Sequence, residues 1–113
     1  MKLVTIITLA VTGCILLGAP QSAQAFSGYW NDFETYYAPC PDLTTLRCDV
    51  CHVNGTFAVN PYGSDFLAQV NGGATSAEAF LALEPMDSDG DLRDNQQEIQ
   101  YDCTAPGDAN DFG

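Results

Sequence analysis

Two cysteines and the only histidine of the chain lie within five consecutive residues, as Cys48, Cys51 and His52. On one helical turn this spacing lets both sulfurs and the imidazole face the same side. Cys-x-x-Cys-His is the attachment signature of c-type heme, in which both thiols bond to the porphyrin and the histidine binds the iron. The motif therefore predicts one covalently bound heme c, with His52 as the proximal ligand.

The cysteines allow two other interpretations. A structural zinc ion needs four ligands, and Cys40 and Cys103 could complete a Cys₄ or Cys₃His set, but there is no second closely spaced cysteine pair. A thioredoxin-like redox pair would need a strand–helix–strand context, which the sequence does not indicate. If heme takes Cys48 and Cys51, only Cys40 and Cys103 remain in the mature chain, and we predict that they form a disulfide.

The second axial ligand of the iron must be a residue type other than histidine, because His52 is already used. Met86 is the only thioether of the mature chain, and His/Met ligation would raise the reduction potential. We expect Met86 to be this distal ligand. The alternatives are that Met86 is a core residue, with the site open or water-bound, or that a neighbouring subunit donates the ligand.

An acidic segment, residues 87–98, has the ligand pattern of a calcium loop. The predicted ligands are the side chains of Asp87, Asp89, Asp91, Asn95 and Glu98, and the backbone carbonyl of Arg93. Leu92 departs from the pattern, because such loops normally have glycine there for a sharp turn. We expect a structural calcium ion that pins Ile99 and Tyr101 onto the core; the alternative is a solvated acidic loop.

Apolar residues recur at helical spacing and no useful alternation with period two occurs, so we predict a small all-α domain. Its helices are expected over the aromatic segment 26–37, from Asp42 to the attachment motif, from Pro61 to Gly72, and from a capping box at Thr75 to Pro85. The acidic tail from Thr104 is expected to be mobile. The expected heme pocket is aromatic: Trp30, Phe33, Tyr62, Phe66 and Phe80.

The N-terminus has the features of a cleavable secretory signal. Lys2 precedes an almost wholly apolar run, and residues 23–25 form a small-x-small cleavage site. We therefore predict a signal peptide over residues 1–25 and one domain over residues 26–113, in the periplasm or outside the cell, with no membrane span. A lipid on Cys14 is the alternative, because residues 11–14 resemble a lipoprotein box.

The charge of the chain is strongly acidic, with fifteen Asp and Glu against three Lys and Arg and a net charge of −12. Nucleic acid and anionic lipid are therefore excluded as expected partners. Redox partner proteins remain, and self-assembly through the aromatic N-terminal helix is a further possibility.

Four groups of residues resemble one family: Cys48, Cys51 and His52; Asn60-Pro61-Tyr62-Gly63 with Asp65-Phe66; Asn95-Gln96-Gln97-Glu98-Ile99; and Pro106-Gly107-Asp108. The chain resembles small secreted bacterial monoheme c-type cytochromes that carry a dockerin- or thrombospondin-type-3-like calcium loop. The resemblance implies a cytochrome c-like domain that carries single electrons and is not an enzyme. Two other functions are a subunit of an extracellular electron-conducting filament and a heme sensor with an open distal site.

Overall fold

The computed structural model describes residues 27–113, so the predicted signal peptide lies outside the described residues. Over these residues the chain is helical and contains no β-sheet, which confirms the small all-α domain. The elements are α1 (Ser27–Tyr37), α2 (Pro41–Leu46), a 3₁₀ turn (Arg47–Val50), α3 (Pro61–Asn71), α4 (Ser76–Leu83) and a π-helical segment (Gln97–Asp102). No helix in the described part of the chain is both long and apolar enough to cross a membrane.

The two central helices begin where their capping residues predict. The side chain of Asn60 accepts a hydrogen bond from the backbone N–H of Gly63, and Pro61 is the first residue of α3. Thr75 and Glu78 form a reciprocal capping box at the start of α4. These capping interactions place both helix starts where the local sequence predicts them.

The core is a cluster of aromatic rings contributed by α1, α3 and α4. The Phe66 and Phe80 rings stack with centroids 4.9 Å apart, and Phe33 meets Phe80 edge to face at 5.6 Å. Tyr62 is fully buried beside them, and Trp30 stacks on Phe33 at the edge of the cluster. These rings pack on one another and fill the space between the helices, and their role in lining a heme pocket stays a prediction.

The C-terminal segment is held to the rest of the domain and is not the mobile tail expected from sequence. Cys103 forms a disulfide with Cys40 at the start of α2, with their Cα atoms 6.0 Å apart. Beyond it, Thr104 is fully buried, and the backbone N–H of Ala105 donates to Asp111. Arg93 donates to the backbone carbonyl of Asp111, so the acidic loop itself anchors the tail.

The π-helical segment, which the sequence did not predict, places its residues on opposite sides. Glu98 and Ile99 are buried, whereas Tyr101 is 70% exposed. The expectation that Tyr101 is pinned onto the core is therefore wrong, while the burial of Ile99 is confirmed.

Candidate functional site

The Cys-x-x-Cys-His motif lies on the 3₁₀ turn and just after it, where the sequence predicted the end of an α-helix. The carbonyl of Cys48 accepts hydrogen bonds from the N–H groups of both Cys51 and His52, at 3.1 and 3.0 Å. In 3₁₀ geometry residues three apart lie one above the other, so Cys48 and Cys51 project from the same side of the turn. The turn therefore places the two predicted heme thiols on one side, with His52 directly after them.

A backbone carbonyl fixes the tautomer of His52. Nδ1 lies 3.1 Å from the carbonyl oxygen of Phe57, and this oxygen can only accept a hydrogen bond. In the neutral imidazole this geometry puts the proton on Nδ1 and leaves the lone pair on Nε2, for which the described residues provide no hydrogen-bond partner. A metal-binding histidine generally has this arrangement, in which the second ring nitrogen is held by a carbonyl or carboxylate.

The loop after His52 returns alongside it and presents apolar side chains. His52 pairs with Val59 in an isolated antiparallel bridge, and the N–H of Val53 donates to the carbonyl of Ala58 at 2.8 Å. Val53, Phe57 and Val59 are 48%, 78% and 39% exposed. The sequence predicted only a loop here, although three large apolar residues among the seven that follow His52 were a usable signal.

The two thiols of the motif differ in their surroundings. Cys48 is exposed, whereas Cys51 packs against the core cluster, and burial raises the pKa of the Cys51 thiol to about 12. The backbone of Cys51 is also tightly covered, because a side chain at Gly63 would collide with the Cys51 carbonyl. Helix α3 thus approaches the turn at a position where only glycine fits.

Met86 is half-buried and packs against the hydrophobic core. Its N–H donates to the carbonyl of Leu83, and its own carbonyl accepts from the N–H of Asn95. Its backbone is therefore tied to the end of α4 and to the acidic loop. The distal-ligand role of Met86 stays a prediction.

The acidic loop gathers three of its predicted ligands. Carboxylate oxygens of Asp87, Asp89 and Asp91 all lie within 4.8 Å of one another. Asp87 also accepts hydrogen bonds from the N–H groups of Gly90, Asp91 and Leu92, at 2.7, 3.1 and 2.9 Å, which fold the loop around it. The loop therefore has a turned-in shape that concentrates negative charge.

Glu98, the last predicted ligand, is not one of these three clustered carboxylates, but its charge is repelled by those of Asp89 and Asp91. Its side chain is fully buried, and Oε2 has no hydrogen-bond partner; Oδ2 of Asp89 is a second buried oxygen without one. Burial, followed by repulsion from Asp89 and Asp91, raises the pKa of Glu98 to about 8. Two buried carboxylate oxygens without a donor are costly unless a cation or a proton neutralises them.

Asn95 and Arg93 have additional structural roles that the loop pattern does not specify. The Asn95 amide is buried, donates to the carbonyl of Leu83 and to Ser88, and accepts from the N–H of Ser88. The guanidinium of Arg93 binds Asp91 through Nε and Nη2, at 2.9 and 2.7 Å, and this ion pair lowers the pKa of Asp91. The Asp91 carboxylate is thus shared between the loop and Arg93.

Comparisons of the chain with known protein families, with curated proteins and with solved structures found no match. The interpretation of both sites therefore depends on their own geometry and on the motifs.

Leu92, which replaces the usual glycine of such loops, adopts a left-handed backbone with φ of 80°. The loop thus makes the turn that glycine would make, with a residue that is strained there by about 1–2 kcal/mol. The side chain is 93% exposed, so it contributes almost no packing in return.

We predict that Leu92→Gly raises the free energy of unfolding by about 1 kcal/mol, because the relief of strain exceeds the greater chain entropy of glycine. Urea denaturation in chelator measures this. Leu92→Ala is the matched control, since it removes the same side chain and keeps the strained φ. Equal effects of the two substitutions, or destabilisation by Leu92→Gly, would contradict the explanation.

Proposed function

We propose that the protein is a secreted monoheme c-type cytochrome that carries single electrons between partner proteins in the periplasm or outside the cell. The observation that carries the proposal is the hydrogen bond between Nδ1 of His52 and the carbonyl of Phe57, which leaves Nε2 available for iron. Cys48 and Cys51 would hold the porphyrin, and His52 would bind its iron. When bound, the heme supplies reversible one-electron chemistry at the iron.

The chain's own residues give this site two properties. Since the aromatic core is filled, the apolar surface available next to His52 is the exposed set Val53, Phe57 and Val59. Apolar side chains there would exclude water from one side of the site. A cytochrome c-like arrangement with a surface-accessible heme suits electron exchange with a redox partner, and the acidic surface favours a partner with a basic face.

A calcium ion in the 87–98 loop is the second part of the proposal. The residues fit such an ion, because Asp89 and Glu98 each have a buried carboxylate oxygen without a donor, beside the clustered aspartates. Asp87, Asp89, Asp91 and Glu98 would hold the ion, with the Arg93 carbonyl and Asn95 at the remaining loop positions. Hard oxygen ligands of this number and charge suit calcium better than zinc.

Two other functions are affected differently by the fold. Filament formation was motivated by more aromatics than a small core can bury, yet α1 packs Phe33 and Tyr37 into the domain's own core and half-buries Tyr29 and Trp30. A heme sensor with an open distal site is favoured by one observation, the packing of Met86 against the core. It is therefore the alternative that we retain.

The heme prediction is tested by producing the protein in a host that attaches heme to c-type cytochromes and purifying the secreted chain. We expect the processed chain to carry the mass of one heme, and its absorption spectrum to change on addition of dithionite. Cys48→Ser should remove one of the two covalent links, while Thr45→Ser, an exposed neighbour on α2, should have no effect. A colourless protein with the mass of the bare processed chain would overturn the proposal.

The Met86 prediction separates a carrier from a sensor. Met86→Leu keeps the apolar volume against the core and removes the sulfur, so stability should change by less than about 1.5 kcal/mol. If Met86 is the distal ligand, the low-spin ferric spectrum is lost and the reduced protein binds carbon monoxide. An unchanged spectrum would remove Met86 as a ligand, and rapid carbon monoxide binding by the wild-type protein would favour the sensor.

The calcium prediction uses Glu98→Gln, with Glu34→Gln on the exposed face of α1 as the control. In chelator, the Glu98 carboxyl ionises near pH 4.5 when unfolded and near 8 when folded. Wild-type stability should therefore fall as pH rises between these values, and Glu98→Gln should lessen that fall. Glu98→Gln should then be the more stable protein in chelator at pH 8.

Calcium should reverse this order. The wild-type protein should release or absorb heat on titration and gain about 2.7 kcal/mol of stability at free calcium one hundred times the dissociation constant. Glu98→Gln should lose most of this response, whereas Glu34→Gln should keep it. The calcium site would be eliminated if the wild-type protein shows no heat on titration with calcium and if its melting temperature is the same with and without chelator.

A further inference from the structure

Asn60 lies where the attachment turn, helix α3 and the C-terminal segment meet. Its side chain is 6% exposed, and its amide nitrogen donates to the carbonyl of Val50 at 2.9 Å, with the carbonyls of Asp49 and His52 at 3.3 and 3.4 Å. Its amide oxygen accepts from the N–H of Gly63. One buried side chain thus pairs with backbone groups both within the Cys48–His52 motif and in the first turn of α3.

The backbone of Asn60 adds a further link to the same turn. Its N–H donates to the carbonyl of Cys51 at 3.0 Å. The carbonyls of residues 49–52 therefore point at Asn60 and at the first turn of α3, in place of a regular helical ladder. The orientation of the Cys51 and His52 side chains depends on these hydrogen bonds.

Residues 104–107 of the C-terminal segment pack against the Asn60 side chain at Gly107. A Cβ atom at Gly107 would lie 2.5 Å from the Asn60 side chain, so the two are in tight contact. Pro106, the residue before it, is fully buried. The rotamer of Asn60 is therefore set in part by where residues 104–107 lie.

The acidic loop holds this segment through Glu98. The N–H of Thr104 donates to the Glu98 carbonyl at 3.1 Å, and the Thr104 hydroxyl donates to Oε1 of Glu98 at 3.3 Å. Oε1 is the partnered oxygen of the carboxylate, and Oε2 is the one left without a donor. A cation at Oε2 would fix the same side chain that holds Thr104.

We propose that Asn60 is a positioning residue for the heme, through which calcium in the acidic loop orders the attachment turn. The contacts run from Glu98 to Thr104, from the 104–107 segment to Asn60, and from Asn60 to the carbonyls of the turn. The inference rests on the proposed heme and calcium functions, and it adds a thermodynamic coupling between them. By linkage, calcium binding then tightens the turn, and the ordered turn raises calcium affinity.

The test is amide hydrogen exchange of the full secreted chain, with calcium and with chelator. Calcium should slow exchange of the Cys51, His52 and Gly63 amides about tenfold, which is a coupling in the usual range. The Ala38 amide, which donates to Glu34 at the end of α1, reports any general stabilisation and should change less. The reduction potential of the heme protein should shift between the two conditions.

Asn60→Ser provides the decisive variant. Serine caps a helix about as well as asparagine, so α3 keeps its start, but its hydroxyl is too short to reach the carbonyl of Val50. The variant should still bind calcium by calorimetry, while the selective protection of the turn and the shift in potential disappear. Asn71→Ser, at the exposed end of α3, should behave as wild type.

The outcomes are distinguishable. If calcium titration gives heat but calcium does not slow amide exchange in the turn, the coupling is overturned and the calcium site still stands. Full protection in Asn60→Ser would overturn the role of Asn60. Absence of calcium heat in the wild-type protein would remove the calcium site and this inference together, while the heme spectrum would report on the cytochrome independently.

Discussion

The structure depends on how a short chain satisfies backbone groups that no regular element pairs. The 3₁₀ turn ends at Val50 and no helix continues through Cys51 and His52, so the carbonyls of residues 49–52 take donors from outside the turn. A buried carbonyl without a donor costs about 1–3 kcal/mol, a large fraction of the stability of a domain this small. The side-chain amide of Asn60 supplies such a donor. Glycine is required at residues 63 and 107 because Gly63 lies against the Cys51 carbonyl and Gly107 against the Asn60 side chain.

The filled aromatic core is the second constraint, and it bears on the proposed function. Phe33, Phe66 and Phe80 stabilise the helices by contacting one another, so the domain has a core of its own before any cofactor is considered. A heme held at the rim of such a core would be more accessible to partners than one enclosed by it. Under the proposed function, this arrangement would suit rapid electron exchange better than protection of a reactive iron, and it would give the exposed apolar side chains of Phe57 and Val53 a partner.

Local signals allowed much of the fold to be predicted, and non-local contacts account for the rest. The starts of α3 and α4 follow from side chains within three residues of each helix end, and the acidic loop follows from its ligand spacing. The aromatic stripe of α1 could be located from its spacing, and its rings pack into the core. A contact with a porphyrin could not be predicted separately, because rings that could face a porphyrin can also pack against each other. The anchored tail depends on Arg93 meeting Asp111 and on Cys103 meeting Cys40, and no periodic pattern encodes these contacts. The π-helical segment also departs from the helical period that such patterns report.

The disulfide has a consequence for the order in which the thiols of the proposed mature chain react. Four cysteines can pair in three ways, and the shortest loop, between Cys48 and Cys51, is entropically the easiest to close. The bond seen here instead joins residues 63 positions apart, so loop closure alone disfavours it and the folded positions of Cys40 and Cys103 favour it. If the chain is exported and takes up heme as proposed, the closely spaced thiols would have to stay reduced while the distant pair bonds.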